Sequence, residues 1–233
     1  MQQMPSHYSN LIPPTARIVD KLSPTARADF ESLFHASHHP ANAILFTEKE
    51  PATGIHVVLE GEIHVSINST DGKRLALRIA RGGEILGLSS VFSGSAYNAT
   101  AETFYPSRVA YVARQTLILF LSNHPDAYQV VVEELSRKVS LACEQLRIVA
   151  LSNSAPEKLA RLLLEWSENG KVTPDGCRVC FALTHEQIGE FIGASRETVT
   201  RTMGSFKRRH LVKFDGSMLT IPSRAALATY ASG

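Results

Sequence analysis

Residues 184–201 read Thr184-His185-Glu186-Gln187-Ile188-Gly189-Glu190-Phe191-Ile192-Gly193-Ala194-Ser195-Arg196-Glu197-Thr198-Val199-Thr200-Arg201. Two helix starts are written into this string. Thr184 followed three residues later by Gln187 is a capping box, in which a hydroxyl and a side-chain amide satisfy the first free backbone N–H groups. Ile188, Phe191 and Ile192 then supply one apolar face of a short helix. Gly193 ends it, because a sharp helix-to-helix turn demands a left-handed residue that glycine adopts at no steric cost. Ser195 caps a second helix that runs to about Arg209. Gly189, one turn before the break, leaves room for the two helices to cross closely. The spacing predicts a helix-turn-helix.

On the second helix Val199, Met203 and Phe206 fall within about 60° of one another at 100° per residue and form a buried stripe. Arg196, Glu197, Thr200 and Arg201 occupy another face, which is polar. In a major groove an arginine pairs with the two acceptors of guanine and a carboxylate accepts from the cytosine amino group. Arg196, Glu197 and Arg201 are therefore the expected base readers. An acid in a basic stripe favours sequence reading over generic attraction, since Glu197 beside phosphates would otherwise repel them. The plainer alternative pairs Glu197 with Arg201 on an exposed helix. Ser195, Thr184, Thr198, Thr200, Lys207 and Arg208 are expected to touch the DNA backbone.

The charge distribution agrees. The chain has 233 residues with 24 Lys plus Arg against 22 Asp plus Glu, a net +2. Residues 1–153 hold 13 basic and 14 acidic side chains, whereas 154–233 hold 11 and 8. Between Ala194 and Lys213 there are six basic residues and one acid. Such a local excess suits a polyanion, because each neutralised phosphate releases condensed counterions.

Upstream the period changes. Over residues 43–113 apolar residues alternate with polar ones, as in Ile63, Val65 and Ile67 against Glu62, His64 and Ser66. Asp71-Gly72 supplies a hairpin turn, after which Leu75, Leu77 and Ile79 alternate with Arg74, Ala76 and Arg78. An antiparallel β-roll or sandwich follows. From 124 to 153 no glycine intervenes. Tyr128, Val132, Leu135, Val139, Ala142, Leu146 and Val149 step by four and three, a heptad seam that suits pairing of two copies of the chain. Glu134, Lys138 and Gln145 are expected elsewhere on that helix's surface. The Ser152-Asn153-Ser154-Ala155-Pro156 stretch reads as a hinge, Pro156 opens another amphipathic helix ending at Asn169-Gly170, and residues 171–183 and 212–221 read as short β pieces. The expected organisation is a flexible arm at 1–20, a β-roll sensor at 21–123, a dimerisation helix at 124–153 and a winged helix-turn-helix at 154–233, in the α+β class.

With a β-roll, a long dimer helix, a hinge and the Arg196-Glu197-Thr198-Val199-Thr200-Arg201 string, the chain resembles the CRP/FNR family of bacterial transcription regulators over roughly residues 20–225. The resemblance implies a homodimer in which Arg196, Glu197 and Arg201 read a palindrome with GTGA-like half-sites, a cyclic-nucleotide-binding-like sensor fold, and RNA polymerase as a protein partner. Cyclic-AMP binders of the family carry a Gly-Glu-Leu and an Arg-Ser or Arg-Thr pair in the sensor loop. Here Gly87-Leu88-Ser89 stands in place of the first, and no arginine lies between Gly82 and Arg108. Glu84 reads as a turn residue. Gly87, Leu88, Asn98 and Thr100 remain as candidate lining of a pocket for an unidentified effector, and cyclic AMP is not expected.

No cysteine precedes Cys143, so no iron-sulfur centre is expected. Cys177 and Cys180 have metal-ligand spacing, but residues three apart on a strand point to opposite faces. His35, His38 and His39 read as exposed residues near a helix end before Pro40, and His64 as exposed on a polar strand face, so neither haem nor another metal is expected. No nucleophile-base set or phosphate-cradling loop points to an enzyme. Three cysteines, no apolar leader in the proline-bearing first twenty residues, and a longest aliphatic and aromatic run of five residues (117–121) suggest a cytoplasmic protein that does not enter a membrane. The competing reading is a small-molecule or protein-interaction module whose basic C-terminal part docks on a partner other than specific DNA.

Overall fold

The computed structural model describes residues 18–151 and 154–231. The expected arm, up to residue 17, and Ser152-Asn153 of the expected hinge lie outside them. The described residues form two compact units, one ending at Ala142 and the other beginning at Cys143.

The first unit opens with a 3-10 turn, Ile18–Lys21, and α1, Pro24–Ser32, whose N-cap Ser23 accepts from the Ala26 amide. Eight strands follow: β1 (His35–His39), β2 (Ile44–Phe46), β3 (Gly54–Glu60), β4 (Glu62–Asn68), β5 (Arg74–Arg81), β6 (Ile85–Leu86), β7 (Thr100–Thr103) and β8 (Ser107–Ala113). They make two four-stranded sheets, ordered β1-β8-β3-β6 and β2-β7-β4-β5, with every pairing antiparallel. Helix α2 (Leu88–Ser93) sits between β6 and β7, and α3 (Arg114–Asn123) and α4 (Ala127–Leu151) follow β8. One apolar cluster, including Ile55, Val57, Val112, Leu117 and Leu121, joins the first sheet to the helices. Another, with Val58, Ile63, Ala101 and Val109, lies between the sheets.

Several side chains sit on the other side from where the alternation puts them. Val65 pairs with Arg78 but Ser66 pairs with Ala76, so Leu77 is an extra residue in β5. This bulge reverses the faces: Ala76 is fully buried, while Leu75 and Leu77 are half-buried. His64 is buried rather than exposed, edge-on to the Phe104 ring, and burial, then Arg74, pushes its pKa down to about 4. His35, His38 and His39 are on strand β1 and not at a helix end; they pair by backbone with β8, which needs no apolar periodicity. No group of three metal-ligating side chains occurs among the described residues.

Helix α4 holds all seven residues of the expected seam, and they do not share one exposure. Tyr128, Val132, Val139 and Leu146 are 43%, 59%, 63% and 63% exposed, Ala142 is also exposed, Val149 is half-buried, and Leu135 packs against the core of the first unit. The polar residues expected on the surface face inward instead. Glu134 and Lys138 are largely buried, and Gln145 is 8% exposed. Lys138 and Gln145 stay inside because each meets a backbone carbonyl from another element, and Glu134 because Arg137 and Lys138 of its own helix neutralise it. Glu84, expected as an ordinary turn residue, is the centre of the first group. Its carboxylate pairs with Arg78 of β5 and, at 3.2 Å, with Arg137 of α4, and accepts from the Arg81 amide at 3.0 Å. Arg137 in turn holds Glu134 at 2.7 Å, and Lys138 donates to the Ile85 carbonyl. Burial would raise the Glu84 pKa, but Arg78, the Arg81 amide and Arg137 outweigh it and hold the carboxyl below its usual range.

The second unit contains the end of α4, then α5 (Ala155–Trp166), capped by Ser154, and a 3-10 turn at Ser167–Asn169. Strands β9 (Lys171–Thr173) and β10 (Gly176–Cys180), helices α6 (His185–Ile192) and α7 (Arg196–Arg208), strands β11 (Lys213–Asp215) and β12 (Met218–Ile221), and α8 (Arg224–Ala231) complete it. The sheet order is β11-β12-β10-β9. The β11–β12 hairpin turns at Gly216-Ser217, where Gly216 has φ +56°. The three cysteines are free.

Candidate nucleic-acid interface

Each local signal in the opening string has its counterpart in geometry. Thr184 Oγ1 accepts from the Gln187 amide at 3.2 Å while Gln187 Oε1 accepts from the Thr184 amide at 2.8 Å. Gly193 closes α6 at φ +62°. A Cβ on Gly189 would stand 2.5 Å from the Ala194 carbonyl oxygen, so the turn between the helices passes where any larger residue would project. Ser195 Oγ accepts from the Thr198 amide at 3.3 Å and starts α7.

Val199, Met203 and Phe206 are buried against the unit's core, joined by Thr202. Arg196, Glu197, Thr200, Arg201, Lys207 and Arg208 are exposed, with Ser195 and Thr184, and Thr198 is half-buried. The structure thus gathers the expected readers on one polar helix face. The Glu197 carboxyl lies below its ordinary range because its own backbone N–H, then the Ser195 hydroxyl and then Arg196 favour the anion. No ion pair joins Glu197 to Arg201 among the described residues, so the plain i, i+4 account of this acid is not what the fold uses.

Some contacts were not legible in the string. The Thr200 hydroxyl is engaged by the Arg196 carbonyl at 2.9 Å and His185 Nδ1 at 2.8 Å. Lys207 Nζ stands 4.8 Å above the Phe214 ring of β11, and Arg209 stacks on Tyr230 of α8. Gln145 donates to the Phe191 carbonyl at 2.8 Å, so the end of α4 grips α6 just before its glycine turn. A cleft of about 360 Å³ opens between α6, α7 and the β11–β12 hairpin, with His185, Met203, Lys207 and Phe214 on its walls. Cys177 is buried and Cys180 is half-buried, with Cys177 donating to the Ser167 carbonyl.

The four candidate effector residues have different surroundings. Leu88 is buried in the core shared by β3 and the helices, Asn98 is exposed, and Thr100 Oγ1 accepts from the Glu48 amide at 3.0 Å. The space beside Gly87 is taken by Tyr97, whose ring edge would lie 3.0 Å from a Cβ at that glycine. That ring stacks on Phe46 with centroids 4.0 Å apart, and its hydroxyl donates to the Gly54 carbonyl at 2.7 Å.

Residues 157–230 match the model of the Crp-like helix-turn-helix domain, and residues 36–124 match that of the cyclic nucleotide-binding domain. The chain belongs to the CRP/FNR family. It is a DNA-binding transcription regulator of that type, and its relatives are regulators and not enzymes. This CRP/FNR regulator is 24% identical over 214 residues to the CRP-like cAMP-activated global transcriptional regulator of Mycobacterium tuberculosis, covering 91% of this chain and 95% of that one. It is 28% identical over 211 residues to the transcriptional activatory protein AadR of Rhodopseudomonas palustris, covering 89% and 86%. Its fold matches FixK2 from Bradyrhizobium japonicum with a TM-score of 0.72 at 20% identity, over 84% of this chain and 96% of that one. It also matches the c-di-GMP-responsive regulator CLP of Xanthomonas campestris with 0.74 at 16% identity, over 86% and 100%. Dimers are typical of the family. No helix among the described residues is long and apolar enough to cross a membrane.

Proposed function

We propose that this regulator binds as a homodimer to a palindrome with GTGA-like half-sites about one helical turn, roughly 34 Å, apart. Arg196, Glu197 and Arg201 read bases, while Ser195, Thr184, Thr198, Lys207 and Arg208 hold the backbone; Thr200, expected among them, has its hydroxyl engaged by the Arg196 carbonyl and His185 instead. The observation that carries this reading is the exposed Arg196, Glu197, Arg201 face set directly behind a buried Val199, Met203, Phe206 stripe. Two α4 seams closing on each other supply the two-fold axis. RNA polymerase is the protein partner, and the cytoplasm is where both would be met.

Cyclic AMP does not suit the sensor unit of this chain. A cyclic phosphate needs a charge-assisted donor such as a guanidinium. Beside Gly87 the space holds the Tyr97 ring instead, and Leu88 replaces the acid that would meet a ribose. We infer that DNA binding needs no cyclic nucleotide.

A selection from random DNA sequences on the purified protein without added ligand tests both points. Enrichment of an inverted repeat containing GTGA is expected; no enriched motif from an intact dimer would favour the docking-module reading. The seam makes its own prediction. The double change Val139→Glu, Leu146→Glu places like charges on a surface that is otherwise bare and apolar, and is expected to leave a folded monomer by sedimentation at micromolar concentration. A variant that sediments as the wild type would remove α4 from the interface.

A further inference from the structure

His185 opens α6, and its imidazole lies against α7. Thr200 Oγ1 is 2.8 Å from His185 Nδ1 and 2.9 Å from the Arg196 carbonyl oxygen. A hydroxyl has one hydrogen, and a carbonyl can only accept. Both contacts are hydrogen bonds only with the Thr200 hydrogen on Arg196 O, which leaves a lone pair for the imidazole. Nδ1 must be the nitrogen that carries hydrogen. In the neutral ring Nε2 is then a bare acceptor, and only the imidazolium turns it into a donor.

The charged groups acting on this ring are Lys207 and Arg196, both cations on α7. The cleft that His185 shares with the β11–β12 hairpin brings Phe214, Gly216 and Ser217, and the segment before α6 brings Phe181, Ala182 and Leu183. None of these carries charge. On its own helix the neighbouring acid, Glu186, is exposed. Burial first, then the two cations, hold the imidazole below its usual pKa, so the free protein keeps it neutral at pH 7. A phosphate brought up to Lys207, the nearer in effect of the two cations, offsets the opposing field and offers Nε2–H an acceptor.

We propose that His185 is a proton-linked DNA-backbone contact: Thr200 fixes Nδ1–H, and Nε2 meets a phosphate only as the imidazolium, so each protomer takes up a proton on binding. This rests on the reading that α7 enters the major groove. The sign follows from linkage. A proton bound with DNA makes affinity rise as pH falls, by at most about tenfold per pH unit for each proton.

The test measures Kd for the selected palindrome from pH 6 to pH 8 at fixed ionic strength, for wild type, His185→Gln and His185→Arg. Wild type is expected to tighten by about tenfold or more on going from pH 8 to pH 6, within that linkage limit. His185→Gln should lose this slope and match the weak, high-pH affinity of the wild type throughout. His185→Arg, charged at every pH, should lose the slope at the tight limit. If His185→Gln or His185→Arg keeps the wild-type slope, this contact is overturned while the DNA reading stands. If none of the three prefers the palindrome at any pH, the DNA reading is overturned and the contact falls with it.

Discussion

Replacing Arg196 by alanine is expected to weaken binding to a GTGA-containing palindrome by about 30-fold to more than 10,000-fold, and binding to random DNA by far less. A bidentate arginine–guanine pair contributes roughly 1–3 kcal/mol of discrimination. A two-fold complex holds the pair twice, so about 2–6 kcal/mol is at stake, at roughly 1.4 kcal/mol per tenfold. The change should leave the fold alone, because Arg196 is exposed at the first turn of α7, whose cap is made by Ser195 and whose burial is made by Val199, Met203 and Phe206. Fluorescence anisotropy on matched specific and scrambled duplexes at one salt concentration measures it. Equal losses on both duplexes would make Arg196 a phosphate contact and would sink the base-reading assignment.

Glu84→Gln is expected to destabilise the first unit by about 3–5 kcal/mol, the range for breaking a buried ion pair from one side. The isosteric amide still fills the space, yet Arg78 loses its carboxylate and Arg137 loses one of two. Urea unfolding followed by the first unit's own signal reads this directly. The pH dependence has a definite direction. The folded-state pKa of Glu84 is depressed, so its contribution is complete above the unfolded-state value and is lost as pH falls through the folded one. Wild type should therefore lose stability in acid faster than Glu84→Gln, the two curves converging at low pH. Parallel curves would show that the Glu84 charge adds no stability.

What the amino-acid string reveals best is whatever is settled within a few residues. The Thr184–Gln187 box, the Gly193 turn and the Val199, Met203, Phe206 stripe are local devices, and all three stand in the fold as read. On α4 the spacing places Tyr128, Val132, Val139, Ala142 and Leu146 on the exposed side, while Leu135 turns into the core of its own unit. Lys138 and Gln145 are misplaced because their partners are distant in sequence. Lys138 lies inside because the Ile85 carbonyl waits 53 residues away, and Gln145 because Phe191 lies 46 residues on. Leu75 and Leu77 leave the expected face because one inserted residue shifts the pairing with β4, and no composition announces a bulge. Helices α3 and α8 show the same limit. Their sequences, such as 114–123, hold short apolar runs that periodicity alone cannot separate from buried strands. The proposed base readers are neighbours on one helix, whereas among the candidate effector residues Leu88 is buried in a core, Asn98 is exposed and Gly87 lies against Tyr97.

If the exposed ridge of Val132, Val139 and Leu146 joins two copies as proposed, it also sets a dose law. If a half-site is read by one protomer and only the joined pair spans the operator, occupancy well below the dissociation constant of the pair grows with the square of the protomer number. Doubling synthesis then quadruples the pairs available. A cell carrying this regulator would pass from an unoccupied to an occupied promoter over a narrower range of expression than a one-chain binder allows, with the threshold set by how tightly those few side chains close.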